Sequence, residues 1–368
     1  MTNPRHDTAS AYMYWARTRS NAQFNLASSG IRNLPLSALQ TRLDDLELTG
    51  PGDYGYQPLQ KLLAARYGVD PGWIVAATGA SMANHLAMAA VVEPGDEVLI
   101  EQPTYELLLN VAQYLGAKII RFDRRFDNAF RLEPTEIQRA VTRQTRLIVL
   151  TNLHNPSGVL IEQSTLREIG EIAHSVGARV LVDEVYLDLA FQRPQRSSIH
   201  LGKQFIVTSS LTKAYGLSGL RCGWIFAEPE LAQRMWRLND IFAATPVHLA
   251  DQLSVVALER LPEIAAQTCR LLEANRALLK QFLDSRSHAS HGDLSFIWPA
   301  FGTIVFPRLL GGDVDSFCNR LREKYETSVV PGSFFEMPQH FRIGVGGETA
   351  MVAEGLKRLS AALDELSS

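Results

Sequence analysis

Short β-rich runs alternate with longer amphipathic segments between residues 73 and 226, and this alternation restricts the possible folds more than any other feature of the chain. Strands that alternate with helices form βαβ units, in which helices cover both faces of a mostly parallel sheet. One helical segment, 163–176, has apolar residues at helical spacing and a glycine stop at Gly177. We predict an α/β fold whose sheet has strands at 73–76, 97–101, 118–122, 146–151, 179–183, 205–208 and 223–227.

The length of 368 residues exceeds what a single core usually supports, so we expect two domains. Helical periodicity continues through 261–283, a segment long enough to join two domains. The remaining residues, 301–366, follow the order strand, helix, strand, helix, with fewer and less apolar strands. We therefore predict a smaller α+β domain after the large sheet domain.

The charges are nearly balanced, with 36 basic and 39 acidic residues, so no strong field favours nucleic acid or an anionic membrane as a partner. The three cysteines, Cys222, Cys269 and Cys318, lie too far apart to indicate a disulfide framework or a zinc site, and no metal is expected. The polar first ten residues contain no apolar leader, and no apolar run reaches membrane-spanning length. We expect a cytoplasmic protein that acts on small molecules.

One lysine, Lys213, stands among hydroxyls, glycines and a cation directly after the apolar run 205–208. The end of a buried strand is where α/β sheets expose functional groups. A desolvated lysine there has a lowered pKa and can form a Schiff base. Ser210 and Arg221 flank it with a hydroxyl and a guanidinium, both suited to a phosphate dianion. These residue types favour chemistry on a phosphorylated carbonyl compound, although a short motif alone is also compatible with an ordinary loop lysine.

The segment 209–224 resembles the lysine motif of the fold-type I aminotransferases of class I/II, which use pyridoxal 5'-phosphate (PLP). The family pattern is S-x-[ST]-K, a short glycine-rich spacer and R-x-G, matched here by Ser210, Thr212, Lys213, Arg221 and Gly223. The resemblance implies the PLP-dependent transferase fold, a Schiff base between Lys213 and the cofactor, and a phosphate held by Ser210 and Arg221. It also implies that Lys213 carries the proton between the substrate Cα and the cofactor C4'.

A carboxylate, Asp183, ends the apolar run 179–183, and Tyr186 follows three residues later. A carboxylate at that depth needs a partner, because an unpaired buried charge is costly. The resemblance implies that Asp183 pairs with the protonated pyridine nitrogen of PLP and keeps the ring an electron sink. It implies that Tyr186 hydrogen-bonds the phenolic O3'. Without the resemblance, the same residues are compatible with a strand end that carries acids, and Glu184 is interpreted as structural.

The turn Asn155-Pro156-Ser157-Gly158 follows the strand predicted at 146–151 and matches the family's N-P-[ST]-G. Proline and glycine make this a strong turn sequence whatever the function. The resemblance implies that Asn155 shares O3' with Tyr186 and lies close to the substrate. His154 is interpreted as structural, because a lone histidine is more often structural than catalytic.

Residues 78–82 follow the first predicted strand and open an amphipathic helix, whose N-terminal N–H groups form an anion site. Ser81 adds a hydroxyl there, and it is equally compatible with a plain N-cap. Residues 101–105 match the family's E-x-P-x-Y, which implies an aromatic ring over the pyridine of the cofactor. The cofactor-binding residues that the resemblance implies here are Gly79, Ala80, Ser81 and Tyr105.

Both ends of the chain contain substrate motifs of the resembled family. The segment 24–30 is similar to the substrate lid N-L-x-x-G, which implies that Gly30 lies close to the substrate. Residues 329–335 and 341–344 match V-x-P-G-x-x-F and R-[IL], which implies that Arg342 binds the α-carboxylate. A guanidinium offers two parallel hydrogen bonds for this task, which lysine performs poorly. The alternative for Arg342 is a buried structural ion pair.

One position departs from the family pattern. Family members usually carry a tyrosine shortly before the G-Y-x-P-L element, where it reaches the phosphate in the neighbouring subunit, and here that position falls near Gly50. Tyr54 or Tyr56 is expected to replace it, and the sequence does not choose between them. The family arrangement implies a homodimer.

The resemblance extends from Asn25 to Arg342, with its motifs in family order. It implies an aminotransferase that moves the amino group of an α-amino acid to a 2-oxo acid. It also implies a lid and part of the small domain at 1–45, a large PLP-binding domain at 46–270 and a C-terminal small domain at 271–368. The alternative is a PLP-dependent lyase or amino-acid cyclase on the same fold, either a β-C–S lyase or a capreomycidine-synthase-like enzyme. A PLP-sensing regulator and a catalytically silent binding protein are less favoured.

Overall fold

The computed structural model describes residues 8–287 and 292–366. Its strands are β1 (Phe24–Asn25), β2 (Ile74–Thr78), β3 (Glu97–Gln102), β4 (Lys118–Asp123), β5 (Thr145–Thr151), β6 (Arg179–Asp183), β7 (Phe205–Ser210), β8 (Cys222–Phe226), β9 (Leu294–Ser295), β10 (Ile304–Val305), β11 (Arg308–Leu309), β12 (Thr327–Ser328), β13 (Val330–Pro331) and β14 (Phe341–Gly344). Its helices are α1 (Ala11–Thr18), α2 (Gln57–Tyr67), α3 (Gly79–Ala89), α4 (Glu106–Tyr114), α5 (Pro134–Ala140), α6 (Gln163–Val176), α7 (Thr212–Tyr215), α8 (Pro229–Phe242), α9 (His248–Glu259), α10 (Leu261–Ser287), α11 (Val314–Tyr325) and α12 (Thr349–Asp364).

A seven-stranded sheet forms the centre of the molecule, in the order β2-β8-β7-β6-β5-β3-β4. Strand β8 runs antiparallel to its neighbours β2 and β7, whereas the other neighbouring pairs are parallel. All seven predicted strands are present, with ends within two residues of the prediction. The predicted α/β fold is therefore confirmed.

Apolar residues on the two faces of this sheet pack into separate clusters under the covering helices. In β5, Leu147 and Val149 face the cluster that contains residues of α3, α4 and α8, whereas Ile148 and Leu150 face the cluster under α5 and α6. The alternation follows from the two-residue period of a strand, and burial of both faces explains why the strands are almost continuously apolar.

An N-terminal and a C-terminal segment of the chain pair beside the large sheet. Strand β1 pairs in parallel with β12, so that Phe24 lies opposite Thr327. Strands β10, β14 and β13 form a second small sheet, and β9 pairs with β11. Helix α12 packs on the long helix α10. This arrangement brings residues near the N-terminus and on β14 to the carboxyl edge of the large sheet.

No helix within residues 8–287 and 292–366 has the length and apolar character needed to cross a membrane.

Candidate active site

A cavity of about 690 Å³ opens at the carboxyl ends of the parallel strands. Strands β5, β6 and β7 each contribute their last residue to its wall, namely Thr151, Asp183 and Ser210. Ligand sites at this edge are the rule in open α/β sheets. The residues predicted from the sequence that line the cavity are Ala80, Ser81, Tyr105, Asn155, Asp183, Tyr186, Ser210, Lys213 and Arg221.

The three remaining predicted residues lie directly behind this lining. A Cβ on Gly30 would touch the Lys213 side chain at 3.4 Å, and a Cβ on Gly79 would collide with the Arg221 guanidinium. Arg342 donates a hydrogen bond of 2.8 Å to Asn155 Oδ1. The structure thus brings every predicted site residue to one place.

Lys213 lies in the short helix α7, immediately after β7. Its Nζ donates to Ser29 Oγ at 3.0 Å and lies 5.9 Å from the centre of the Tyr186 ring. Burial lowers the pKa of Lys213, and the nearby cations Arg342 and Arg221 act in the same direction. A lowered pKa increases the fraction of neutral amine, which is the form that acts as a nucleophile or a base.

Asp183 ends β6 and is held by two neutral donors. Asn84 Nδ2 donates to Asp183 Oδ2 at 2.7 Å, and the Val185 backbone N–H donates to Oδ1 at 3.0 Å. Thr208 Oγ1 in turn donates to Asn84 Oδ1 at 2.6 Å. Burial raises the pKa of Asp183 against these hydrogen bonds and against the charge of Lys213. A cation bound at Asp183 would favour the ionised carboxylate.

Of the two tyrosines predicted at the site, Tyr186 is buried and Tyr105 is half-buried. Tyr186 donates to Ser29 Oγ at 2.8 Å, so Tyr186 and Lys213 share one hydroxyl. The Tyr105 ring meets the Tyr12 ring edge to face, with centres 5.9 Å apart. Burial raises the pKa of both phenols, which therefore remain protonated at neutral pH.

An anion subsite forms where α3 begins. The helix starts at Gly79, so Ser81 lies in its first turn and is not its N-cap. Gly79 has a φ of 75°, a conformation that favours glycine, and its missing side chain leaves room for the Arg221 guanidinium. The helix N-terminus, the guanidinium and the cavity-facing Ser210 together suit a phosphate.

The Arg342 side chain on β14 is completely buried. Besides Asn155, its guanidinium donates to the Tyr12 hydroxyl at 3.0 Å and to the Ala27 carbonyl at 3.2 Å. No acidic partner accepts from it within the described residues, so its hydrogen bonds go to neutral oxygens. A buried guanidinium without an acidic partner can pair its charge with that of an anionic ligand, which argues against a structural ion pair.

His154 and Glu184 have structural surroundings, in agreement with their interpretation from the sequence. The ring of His154 contacts Ser157 Oγ at 2.6 Å and the Pro103 carbonyl at 3.0 Å, and burial lowers its pKa well below the usual range. Glu184 accepts from the backbone and the hydroxyl of Ser198, and burial raises its pKa to about 7. Neither residue lines the cavity.

The structure gives a physical reason for Gly50. A Cβ at this position would collide with the His248 ring, so a tyrosine does not fit there unless the His248 side chain moves. Tyr54 donates to Asp240 at 2.9 Å, and Tyr56 packs edge to face on His248. Neither tyrosine lines the cavity. The choice between them stays open.

Sequence reasoning missed several residues of the site. Helix α1 brings Tyr12 onto Arg342, Ser29 binds Lys213 and Tyr186, and Asn84 binds Asp183. The sequence contained one signal for Asn84, because a polar carboxamide among the apolar residues of α3 indicates a buried hydrogen-bond partner. Tyr12 belongs to a segment without a strong pattern of its own, and Ser29 lies within the lid motif at 24–30 but at a position that the motif leaves unspecified.

Comparisons with known proteins agree with this geometry. The family described as aminotransferase class I and II matches residues 24–359. The capreomycidine synthase of Streptomyces vinaceus is 30% identical over 95% of this chain and 92% of its own length. The arginine–pyruvate transaminase of Pseudomonas aeruginosa is 25% identical over 96% of this chain and 94% of its own length. A PLP-dependent aminotransferase structure from Streptococcus suis superposes with a TM-score of 0.88 at 27% identity and covers 96% of this chain and 97% of that one.

Proposed function

Because the chain belongs to the class I and II aminotransferases, we propose that it moves the amino group of an α-amino acid to a 2-oxo acid, with Lys213 as its catalytic residue. The cofactor is pyridoxal 5'-phosphate. The observation that carries the assignment of Lys213 is the position of its amine, just after the end of β7 and in the same cavity as Asp183 and Arg221.

The side chains around the cavity fit this cofactor. Asp183 is a buried carboxylate held by neutral donors, and it would hold the protonated ring nitrogen. The start of α3, with Ser210 and Arg221, would hold the phosphate, and Lys213 would hold the carbonyl carbon. Tyr186 and Asn155 would bind the phenolic oxygen, and Tyr105 would cover the ring. When bound, the cofactor supplies an electron sink for the bond that breaks at the substrate Cα.

The chain's own residues account for the proton transfer and for the orientation of the substrate. Lys213 Nζ would be the base that removes the substrate Cα proton. Burial favours its neutral form, as a base requires. Arg342 binds the α-carboxylate, which takes over hydrogen bonds now made to Tyr12 and the Ala27 carbonyl. Asn155 and Gly30 complete the substrate site.

The test is a screen of amino acids against several 2-oxo acids, in which product and cofactor absorbance are followed together. The expected result is one 2-oxo acid formed per amino acid consumed, with the amino group passed to the acceptor. In the absence of an acceptor, the reaction should stop after one turnover with the amine left on the cofactor. Continued release of ammonia or of a cyclic amino acid contradicts transamination.

A second candidate function, cyclisation of an amino acid, is supported by one observation. The capreomycidine synthase relative is more similar in sequence to this chain than the arginine–pyruvate transaminase is, at 30% against 25% identity. A cyclase on this fold would use the same lysine and the same cofactor. The stoichiometry in the screen separates the two functions, because cyclisation leaves no amine on the cofactor.

We further propose a homodimer in the cytoplasm. Large apolar side chains are exposed on the segments 43–48 and 241–247, and Leu48 and Val247 from these two segments line one surface cavity. An exposed apolar surface of this kind supports contact with a partner subunit. The cysteines are free, which fits a reducing compartment. Tyr54 or Tyr56 would reach the partner's site from this surface. A fully active monomer in dilute sedimentation would contradict the dimer. The exposed apolar residues of this surface are Leu43, Leu48, Ile241, Phe242 and Val247.

We also propose three domain limits for the chain: 1–45 for the lid and part of the small domain, 46–270 for the large domain and 271–368 for the C-terminal small domain.

A further inference from the structure

The hydroxyl of Ser29 holds two groups of the site at one oxygen. Lys213 Nζ lies 3.0 Å from Ser29 Oγ, and Tyr186 Oη lies 2.8 Å from it. Ser29 is 5% exposed, so water does not compete freely for this oxygen. Its neighbour Ser28 also lines the cavity, but its side chain is exposed and makes neither contact.

The backbone around Ser29 is tied to both halves of the site. Thr303 Oγ1 donates to the Ser29 carbonyl at 2.6 Å, and the Leu26 N–H donates to Ser328 on β12 at 2.9 Å. The Ile31 N–H donates to the carbonyl of Lys213 itself at 2.9 Å. Ser29 is therefore fixed relative to the lysine by main-chain contacts as well as by its side chain. A hydroxyl placed in this way is preorganised for a group that must stay in position.

A hydroxyl is suited to a lysine that changes its protonation state. Its oxygen accepts from an ammonium, and its proton can be donated to a neutral amine. A carboxylate at the same place would bind the ammonium strongly and would oppose the neutral form. A backbone carbonyl could only accept. We propose that Ser29 is a positioning residue of the reaction, whose hydroxyl keeps Lys213 Nζ in place both before and after it takes the substrate proton.

This inference rests on the proposed function, because it assigns Ser29 a part in the proton transfer by Lys213. The test compares Ser29→Ala with Ser28→Ala and with Ser29→Thr, which keeps a hydroxyl. In the holoenzyme, Ser29→Ala should lower kcat about tenfold or more with the KM for the amino acid within about twofold, since general acid–base catalysis contributes 10²–10⁴-fold. The isotope effect of an amino acid deuterated at Cα should rise, because proton transfer becomes slower than the other steps. Ser29→Thr should recover most of kcat.

A second measurement does not depend on turnover. In the cofactor-free enzyme, the rate at which acetic anhydride labels Lys213 is followed against pH by peptide mass spectrometry. A charge-assisted hydrogen bond is stronger than a neutral one, so loss of the hydroxyl destabilises the ammonium more than the amine. The midpoint of the labelling curve should move to lower pH in Ser29→Ala and stay unchanged in Ser28→Ala.

The inference is overturned by a labelling midpoint in Ser29→Ala equal to that of the wild type. It is also overturned by an equal loss of kcat in Ser28→Ala and Ser29→Ala, or by a loss of kcat in Ser29→Ala without a larger isotope effect. If Ser29→Thr does not fold, the comparison of the two alanine variants decides. If the wild type forms no 2-oxo acid from any amino acid, the proposed function fails, and the labelling midpoint still decides whether Ser29 holds Lys213.

Discussion

The two walls of the cavity are held in place in different ways. The sheet wall, which comprises Asn155, Asp183, Ser210 and Lys213, belongs to the ends of buried strands or to the turns that follow them directly. The N-terminal wall, which comprises α1 and residues 25–30, is held by a few polar contacts and by the pairing of β1 with β12. A group on a strand end moves only if the core moves, whereas a group on a docked helix moves more easily. The catalytic groups are therefore expected on the sheet wall. The N-terminal wall is expected to set substrate binding, apart from Ser29, whose hydroxyl positions Lys213.

The largest effect should come from Lys213→Ala on the sheet wall. Turnover should fall by about 10⁴-fold or more, because the variant lacks both the attachment point of the cofactor and the base. The fold should survive, since the truncated side chain lines a cavity and leaves no new hole in the core. Turnover and thermal melting measure the two outcomes. Lys203→Ala is the matched control, because Lys203 is exposed. Near wild-type turnover in Lys213→Ala would show that this lysine is not the catalytic residue.

The second largest effect should come from Asp183→Asn. An amide cannot stabilise a protonated ring nitrogen, so kcat should fall by about 100-fold, in the range seen when one electrostatic contact of a transition state is removed. The cofactor should still bind, because its phosphate contacts lie at α3 and Arg221. Cofactor titration and kcat are the measurements.

Asp188→Asn is the matched control for Asp183→Asn. Asp188 accepts hydrogen bonds from Tyr67, Tyr215 and Arg66 away from the cavity. Its substitution should therefore lower the melting temperature and change kcat little. Equal rates for Asp183→Asn and the wild type would indicate a mechanism that does not need the protonated ring.

Arg342→Lys tests the boundary between the walls, because Arg342 lies on β14 and contacts both Asn155 and Tyr12. A lysine offers a point charge in place of two parallel hydrogen bonds, so the KM for the amino acid should rise about tenfold, which corresponds to roughly 1.4 kcal/mol. A smaller loss of kcat should follow from the misaligned Cα–H bond. Cofactor affinity should stay unchanged. Equal kcat/KM in variant and wild type, or efficient turnover of an amine without a carboxylate, would show that Arg342 is structural.

The sequence predicted the sheet wall because each of its residues follows an apolar run that has a local signature. Asp183 and Lys213 could be recognised from the residues next to them, and the core then brings neighbouring strand ends together. The hydrogen bond between Asn84 and Asp183 could not be predicted in this way, because it joins a helix to a strand end that lies 99 residues later in the sequence. The hydrogen bond between Arg342 and Tyr12 could not be predicted either, because the two residues are 330 positions apart in the sequence.

Ser28 and Ser29 also show that a local sequence pattern does not predict long-range contacts. They are identical neighbours, yet Ser29 is buried at the site and Ser28 is exposed. The difference follows from the way this segment packs on the C-terminal sheets, where Gly344 leaves room for the Ser28 carbonyl and Thr303 binds the Ser29 carbonyl. These contacts are long-range, so no local pattern of the sequence indicates which serine faces the lysine.

The smallest effect should come from the contact that holds α1. Glu106 accepts from the Ser10 hydroxyl and from the backbone N–H groups of Ala11 and Tyr12, the latter at 3.0 Å, so one carboxylate secures the start of the helix that brings Tyr12 to Arg342. In Glu106→Gln the negative charge at the helix N-terminus is lost, which typically costs about 0.3–1 kcal/mol. If α1 contributes to binding, the KM for the amino acid should rise about two- to fivefold, with kcat and cofactor affinity unchanged.

Glu136→Gln gives the matched control for Glu106→Gln, because Glu136 lies in the first turn of α5, pairs with Arg139 and does not line the cavity. Steady-state kinetics of both variants, at low salt so that the helix-terminus charge is not screened, measure the difference. A fall in kcat as large as that expected for Asp183→Asn would break the distinction between the walls, because α1 would then act in the chemical step. An unchanged KM would show that Tyr12 keeps its place on Arg342 without the charge of Glu106, through aromatic contacts such as those with Tyr105 and Phe335.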